Sequence, residues 1–120
     1  MQVTFSSLDE EMNRIQYEAS VKQEENYLIF EDKSVSNTWV KILIESEVVH
    51  LVRYGQVQME MTFDPTKKTI GHYQNEMGLD FNFMIDCSKL SISKEHITIH
   101  YQMILDETIK TKHKISLLFH

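Results

Sequence analysis

Over much of this chain, side chains change character at every second residue. Val57, Met59, Met61 and Phe63 alternate with Gln56, Gln58, Glu60 and Thr62. Leu79, Phe81, Phe83, Ile85 and Cys87 share one parity; Asp80, Asn82, Met84 and Asp86 hold the other. Ile97, Ile99, Tyr101, Met103 and Leu105 are interleaved with His96, Thr98, His100, Gln102 and Ile104. Ile109, Ile115, Leu117 and Phe119 lie on one parity with Thr111 and His113, while Lys110, Lys112 and Lys114 lie on the opposite one. Successive side chains of a strand point to opposite faces. A period of two therefore gives each stretch one dry and one wet face, the pattern of antiparallel strands.

Composition pushes the same way. Ala19 is the single alanine, against twelve Ile, eight Val, eight Thr and twelve aromatic residues. Alanine favours helix, whereas β-branched and aromatic side chains fit a pleated surface. With 42% apolar and 25% charged residues, the chain is neither disordered nor membrane-spanning by helix. Its 120 residues suit a single domain, 1–120, able to bury about two thirds of its unfolded surface. The start at Met1 lacks the layout of a signal peptide, and the lone Cys87 can form no internal disulfide. Both features fit a cytoplasmic, reducing location.

Turn chemistry marks the strand ends. Gly55 separates Val48–Tyr54 from Gln56–Phe63, and Asp64-Pro65-Thr66-Lys67 suits a type I turn. Asn75-Glu76-Met77-Gly78, Ser93-Lys94-Glu95 and Asp106-Glu107 divide the later strands. Leu8-Asp9-Glu10-Glu11 and Gln23-Glu24-Glu25-Asn26 look like turns, with residues 12–22 between them readable as strand or short helix. Ile15, Tyr17, Ala19 and Val21 share one strand parity, which favours strand. The expected architecture is all-β: about 8–10 antiparallel strands with short links, closed into a mostly up-and-down β-barrel. Such a barrel has room for side chains or one small ligand.

The segment from Tyr27 to Phe119 resembles a known family, the YwiB-like bacterial domain of unknown function, described as a calycin-like β-barrel. The matching residues are Tyr27-Leu28-Ile29-Phe30-Glu31, then Arg53, Gly55, Val57, Met59, Met61 and Phe63 in the order Arg-x-Gly-x-Val-x-Met-x-Met-x-Phe. Thr69 and Tyr73, Gly78-Leu79 with Phe81 and Phe83, Leu90 and Ile92, Ile97, Ile99 and Tyr101, and Ile115, Leu117 and Phe119 follow. The resemblance covers about three quarters of the chain. It implies a small, soluble, cytoplasmic barrel of lipocalin-like shape, and brings no activity, cofactor or catalytic residue. The family pattern has Thr where this chain has Cys87, so the resemblance gives Cys87 no role.

Candidate chemistry is sparse. The six histidines are spread over several strands; His96 and His100 share a strand face but stand about 13 Å apart, too far to share a metal. No zinc-type spacing, Gly-rich phosphate loop or nucleophile–base pairing is present, so no metal, cofactor or catalytic residue is expected. Cys87 shares parity with Phe81, Phe83 and Ile85, which suggests a buried, inert thiol. Net charge is −6, carried by residues 1–60, while residues 61–120 balance to zero. That disfavours nucleic acid, and the Lys110, Lys112, Lys114 row reads as a solvated face or a protected edge.

Arg53 lies on the parity of Val49 and Leu51, which would put its charge at a barrel mouth. There it would meet an acid on the next strand or the face of Trp39 or a tyrosine, or bind an anionic ligand. His72, Thr111 and His113 break apolar parities and, with Tyr101, could form a polar patch inside. Met59, Met61 and Phe81 would supply adaptable apolar walls. Two functional readings follow. In one, the interior or mouth holds a small, partly apolar ligand contacted by Arg53, Met59, Met61, His72, Phe81, Tyr101, Thr111 and His113. In the other, a filled barrel acts through its outer face as a non-enzymatic interaction module or homodimer, with Trp39 or Ile44 in an exposed apolar patch.

Overall fold

A computed structural model describes residues 1–120. Eleven strands account for most of the chain: β1 (Gln2–Asp9), β2 (Arg14–Ser20), β3 (Lys22–Glu24), β4 (Tyr27–Glu31), β5 (Thr38–Glu45), β6 (Val48–Gly55), β7 (Val57–Phe63), β8 (Thr69–Asn75), β9 (Asp80–Ile92), β10 (His96–Ile104) and β11 (Lys110–Phe119). They form one antiparallel sheet in the order β2-β1-β11-β10-β9-β8-β7-β6-β5-β4-β3. Every neighbour in that order, apart from the β1–β11 pair, is also a neighbour in sequence, so the sheet is an up-and-down meander. It curls into a nearly closed barrel. There is no helix, and hence none long and apolar enough to cross a membrane.

Two features bring the ends of the sheet together. β1 and β11 pair from Val3↔Phe119 to Asp9↔His113, and Gln2 and His120 exchange backbone hydrogen bonds beyond them. On the other flank, residues 14–24 act as one bent strand. Its first half pairs with β1; Val21 donates its N–H to the Met1 carbonyl at 2.8 Å; Lys22 then pairs with Ile29 of β4. Within residues 12–22 the chain is strand from Arg14 to Ser20 and again from Lys22, not helix; Met12 and Asn13 belong to the β1–β2 turn, and the break at Val21 makes the total eleven.

β2 and β4 diverge above this crossing and share no ladder. Aromatic rings fill the seam: Phe5 stacks on Tyr17 at 5.1 Å between centroids, and Phe30 lies 6.3 and 6.4 Å from the two. The inward parity builds one continuous core of 18 buried side chains, including Val3, Val40, Ile42, Val49, Leu51, Phe63, Phe83, Ile97, Ile99 and Leu117.

β9 carries an irregularity that its alternation hides. Tyr101 of β10 faces Cys87, but His100 faces Lys89, so Ser88 is an extra residue. A bulge of this kind reverses the parity beyond it. Leu90 and Ile92 therefore pack against the core although they sit out of step with Phe83, Ile85 and Cys87.

Because the strands run alternately up and down, one end of the barrel collects the 10–13, 32–37, 56, 76–79 and 105–109 connections. Two of these lock together. Gly55, at φ 115°, lies so close to the β4–β5 loop that a Cβ there would stand 2.1 Å from the Asn37 carbonyl oxygen. Gln56 donates its N–H to the same oxygen at 3.0 Å. Only glycine fits this approach.

Candidate functional site: the barrel mouth around Arg53

Register places the inward side chains in rows. One row crosses β5 to β9 as Val40, Arg53, Met59, Tyr73 and Phe81. A second runs Cys87, Tyr101, His113 and Asp9 across β9, β10, β11 and β1. These rows face each other across the barrel at the end where Gly55 and the β4–β5 loop meet. Between them lies a cavity of about 120 Å³, lined by Arg53, Met59, Met61, Tyr101, His113, Leu51, Val40 and Ile115, with Phe5, Ser7 and Ile15 on the β1–β2 side and Asp32 and Ser34 from the β4–β5 loop. Two larger depressions of about 440 Å³ exist; one shares Tyr101 and His113 with this cavity but is otherwise lined mainly by polar side chains such as Lys112 and Lys114, and the other lies on the outer faces of β8 to β10. The interior cavity is smaller but is walled by the dry face.

Arg53 is held by an acid. Its Nε and Nη2 donate to Oδ2 of Asp32 at 2.9 and 2.8 Å, and the Asp32 carboxylate is almost fully buried. The other carboxylate oxygen accepts from the backbone N–H of Ser34 at 3.0 Å and from its hydroxyl. A buried carboxylate is tolerable only when paired and hydrogen-bonded, and all of Asp32's capacity is engaged. The partner thus stands at the end of β4, beyond β5, rather than on an adjacent strand. Trp39 is cross-strand from Tyr54 on the outer face, away from the guanidinium.

Close by, the Tyr17 hydroxyl is shut off from solvent and has no hydrogen-bond partner. Burial, and then the Asp32 charge, push its pKa far up, although Asp32 makes no hydrogen bond of good geometry to it. The phenol is neutral at any ordinary pH. The same holds for Tyr101, whose ring packs between Phe63 at 4.8 Å and His113 at 5.1 Å. His113 shares a hydrogen bond with the Thr111 hydroxyl at 2.8 Å. Burial lowers the His113 pKa, with Asp9 and Glu10 opposing, and it is neutral at pH 7.

Of the residues expected to form a ligand site, Arg53, Met59, Met61, Tyr101 and His113 line the cavity, and Thr111 orients His113. Two stand elsewhere. His72 lies on the outer row with Glu60 and Asn82, bonded to Asn82 Oδ1 at 2.8 Å and Asp80 Oδ1 at 2.9 Å. The parity it shares with Ile70 is outward, since Ile70 is 74% exposed. Phe81 continues the Arg53 row but sits at the rim, stacked on Tyr73 at 5.2 Å. Asp32, Ser34 and Tyr17 were not anticipated, although Leu28, Phe30 and Asp32 share a parity that carries the acid inward. Cys87 is buried, donates to the Lys89 carbonyl at 3.4 Å, and has its pKa raised by burial, as suits an inert thiol. No three His, Cys, Asp or Glu side chains converge as a metal site would require.

The profile of a domain family of unknown function, DUF1934, matches residues 3–117. No curated protein matches the chain. Among solved structures, that of the ywiB protein from Bacillus subtilis is similar, with a TM-score of 0.64 over 99% of this chain and 90% of that one. At 15% sequence identity the likeness is one of fold. The family match spans almost the whole sequence and agrees with the resemblance carried by the Arg53–Phe63 stretch: the chain belongs to the DUF1934 family, of which the function is not established.

Proposed function

We propose that this barrel is a binding module whose interior, at the Arg53 end, takes up one small, partly apolar ligand. The observation that carries the reading is the cavity of about 120 Å³ on the dry face, with Met59 and Met61 beside Arg53, Tyr101 and His113. Pockets that combine apolar walls with a few convergent polar groups are typical of small-molecule sites. Methionine adds a flexible, polarisable wall that adapts to shape. The contact set is Arg53, Met59, Met61, Tyr101 and His113, with Thr111 positioning the imidazole. The absence of any nucleophile–base or metal constellation favours binding over catalysis.

The test is methyl NMR on protein carrying ¹³C-labelled methionine methyls, titrated with xenon and with neutral molecules of about six heavy atoms. Saturable shifts confined to Met59 and Met61, without response at exposed Met12 and Met77, are the expected result. Equal response of all methionines, or none at Met59 and Met61, refutes an interior site. Native mass spectrometry of the purified protein adds an independent check for a retained molecule.

A second reading rests on the outer surface. Ile70, Met84 and Ile104 are cross-strand neighbours on β8, β9 and β10, and Ile70 and Met84 are 74% and 42% exposed. They form an apolar groove rimmed by Lys68 and Lys110 on one hand and Asp106 and Glu107 on the other. A surface bearing both signs can match itself about a two-fold axis, so the occupant favoured is a second copy of the chain. Sedimentation velocity would then show a dimer that Met84→Lys dissociates; a monomer at all accessible concentrations rules the dimer out.

A further inference from the structure

We infer that the interior site selects an uncharged ligand by a hydrogen-bond-accepting oxygen, a ketone- or amide-type carbonyl on a body of about six heavy atoms. The inference rests on the interior-binding reading and adds the chemistry of its ligand.

Size comes first. A dry protein cavity of about 150 Å³ accommodates benzene. The space here is about 120 Å³, which suits a five-membered ring or a short branched chain. Charge comes next. The one cation and the one buried anion at the cavity, Arg53 and Asp32, neutralise each other at 2.8 Å, and burial disfavours charge on His113. An ionic ligand would enter without a free counter-charge and would lose its hydration.

Hydrogen-bonding capacity then sets the polarity. Asp32 accepts two bonds on each oxygen and has no room for a ligand donor. Arg53 retains free N–H groups: its Nη1 meets only the Met59 sulfur, at 4.0 Å, a weak acceptor. Tyr101 lines the same cavity, and its hydroxyl stays protonated as a donor. Thus the fixed charged acceptor is saturated while two strong donors stand unengaged on facing rows. Neither donor is stranded, since the Arg53 side chain is 23% exposed and the one buried polar side-chain atom without a partner is the Tyr17 hydroxyl. A ligand acceptor that replaces water at either donor is therefore selected over an apolar molecule of equal shape, which displaces that water without restoring its hydrogen bond.

The experiment compares cyclopentanone with methylenecyclopentane, which keeps the shape and lacks the oxygen, and with cyclopentylammonium and butyrate as ions. The readout is the dissociation constant from the Met59 and Met61 methyl shifts. Cyclopentanone is expected to bind about tenfold tighter than methylenecyclopentane, with both ions weaker still. Tyr101→Phe removes one hydroxyl from a packed ring and should reduce the ketone's advantage several-fold without altering methylenecyclopentane binding. If a Tyr101→Phe chain does not fold, the double change Asp32→Leu with Arg53→Met removes the other donor together with its charge partner and should reduce the advantage in the same way. Equal binding of the ketone and the hydrocarbon overturns this inference and leaves the interior site standing. Tighter binding of either ion also overturns it. No binding by any of the four overturns both.

Discussion

Asp32 and Arg53 show how one residue pair can fix both a loop and a site. The carboxylate is buried by the loop that it organises, because its Oδ1 gathers the Ser34 backbone and hydroxyl while Oδ2 holds the guanidinium. Removing one partner strands the other charge away from water. Asp32→Ala should therefore cost about 3 kcal/mol in urea unfolding, toward the lower end for buried pairs because Arg53 is partly solvated. The double change Asp32→Leu with Arg53→Met should recover most of that loss; a double variant as unstable as the single one would show that the pair itself, and not its desolvation, stabilises the loop. His113 gives a pH test. Burial holds its pKa below the ordinary histidine value, so the unfolded chain binds a proton at higher pH than the folded one. The stability this contributes is present above the unfolded value of about 6.5 and is lost as pH falls through the folded one. The charged groups facing the ring are Asp9, Glu10 and Arg53. Between about pH 7.5 and about pH 5.5 the urea midpoint should fall more for the parent chain than for His113→Gln, and equal falls would refute the assignment. Much of this site could be read from parity alone. The sequence set Arg53, Met59, Met61, Tyr101 and His113 on inward faces, since a period of two leaves no freedom in sidedness. Asp32 escaped because it lies just past a strand, and the parity of a loop residue counts only once the loop's fold is known.

At the scale of elements, the β6–β7 turn matters because it supports the β4–β5 loop from behind. Gly55 meets Asn37 backbone that cannot swing aside, whereas Gly78, also at positive φ, has nothing within 4 Å. Gly78→Ala should carry only the strain of a left-handed backbone, about 1 kcal/mol. Gly55→Ala carries the same strain and a collision as well. Its loss should exceed about 2 kcal/mol, and thermal unfolding of the two variants side by side checks the difference; equal losses would mean that the Asn37 loop yields freely. Elements with both alternation and breakers, such as β7, β8 and β10, were legible to within a residue or two. Others had weaker signals. The chain reverses at Glu25 and Ser46 with non-glycine residues at φ 55° and 52°, so no glycine or proline announces those turns, although the polar run Gln23-Glu24-Glu25-Asn26 does mark the first. The bulge at Ser88 has no composition cue either. Only the switch from Cys87 to Leu90 and Ile92 betrays it, and that switch also reads as a strand end.

The whole molecule is a barrel with one incomplete seam, and the seam lies beside the cavity. β2 pairs with β1 along one edge, and its other edge faces β4 across the Phe5, Tyr17 and Phe30 rings instead of a ladder. Open edges invite pairing with other chains, and here the outward side chains of β2 include Arg14, Gln16 and Glu18, which resist it. The cavity wall contains Ile15 on one flank of the seam and Asp32 and Ser34 on the other, so a ligand entering laterally would displace packed aromatic rings but break no backbone hydrogen bond. The absent ladder has a direct consequence for hydrogen exchange. Alternate amides of β2 point toward β1 and are bonded, whereas those between them point into the seam and are not. Neighbouring amides within β2 should therefore differ in protection by about a hundredfold or more, while β9 and β10, paired on both sides, exchange slowly at every position of their central turns of pleat. Native-state exchange read by NMR resolves the amides one by one. Uniform protection along β2 would show that the seam is closed by hydrogen bonds in solution, and the lateral path would then have to be abandoned in favour of entry through the mouth beside Arg53.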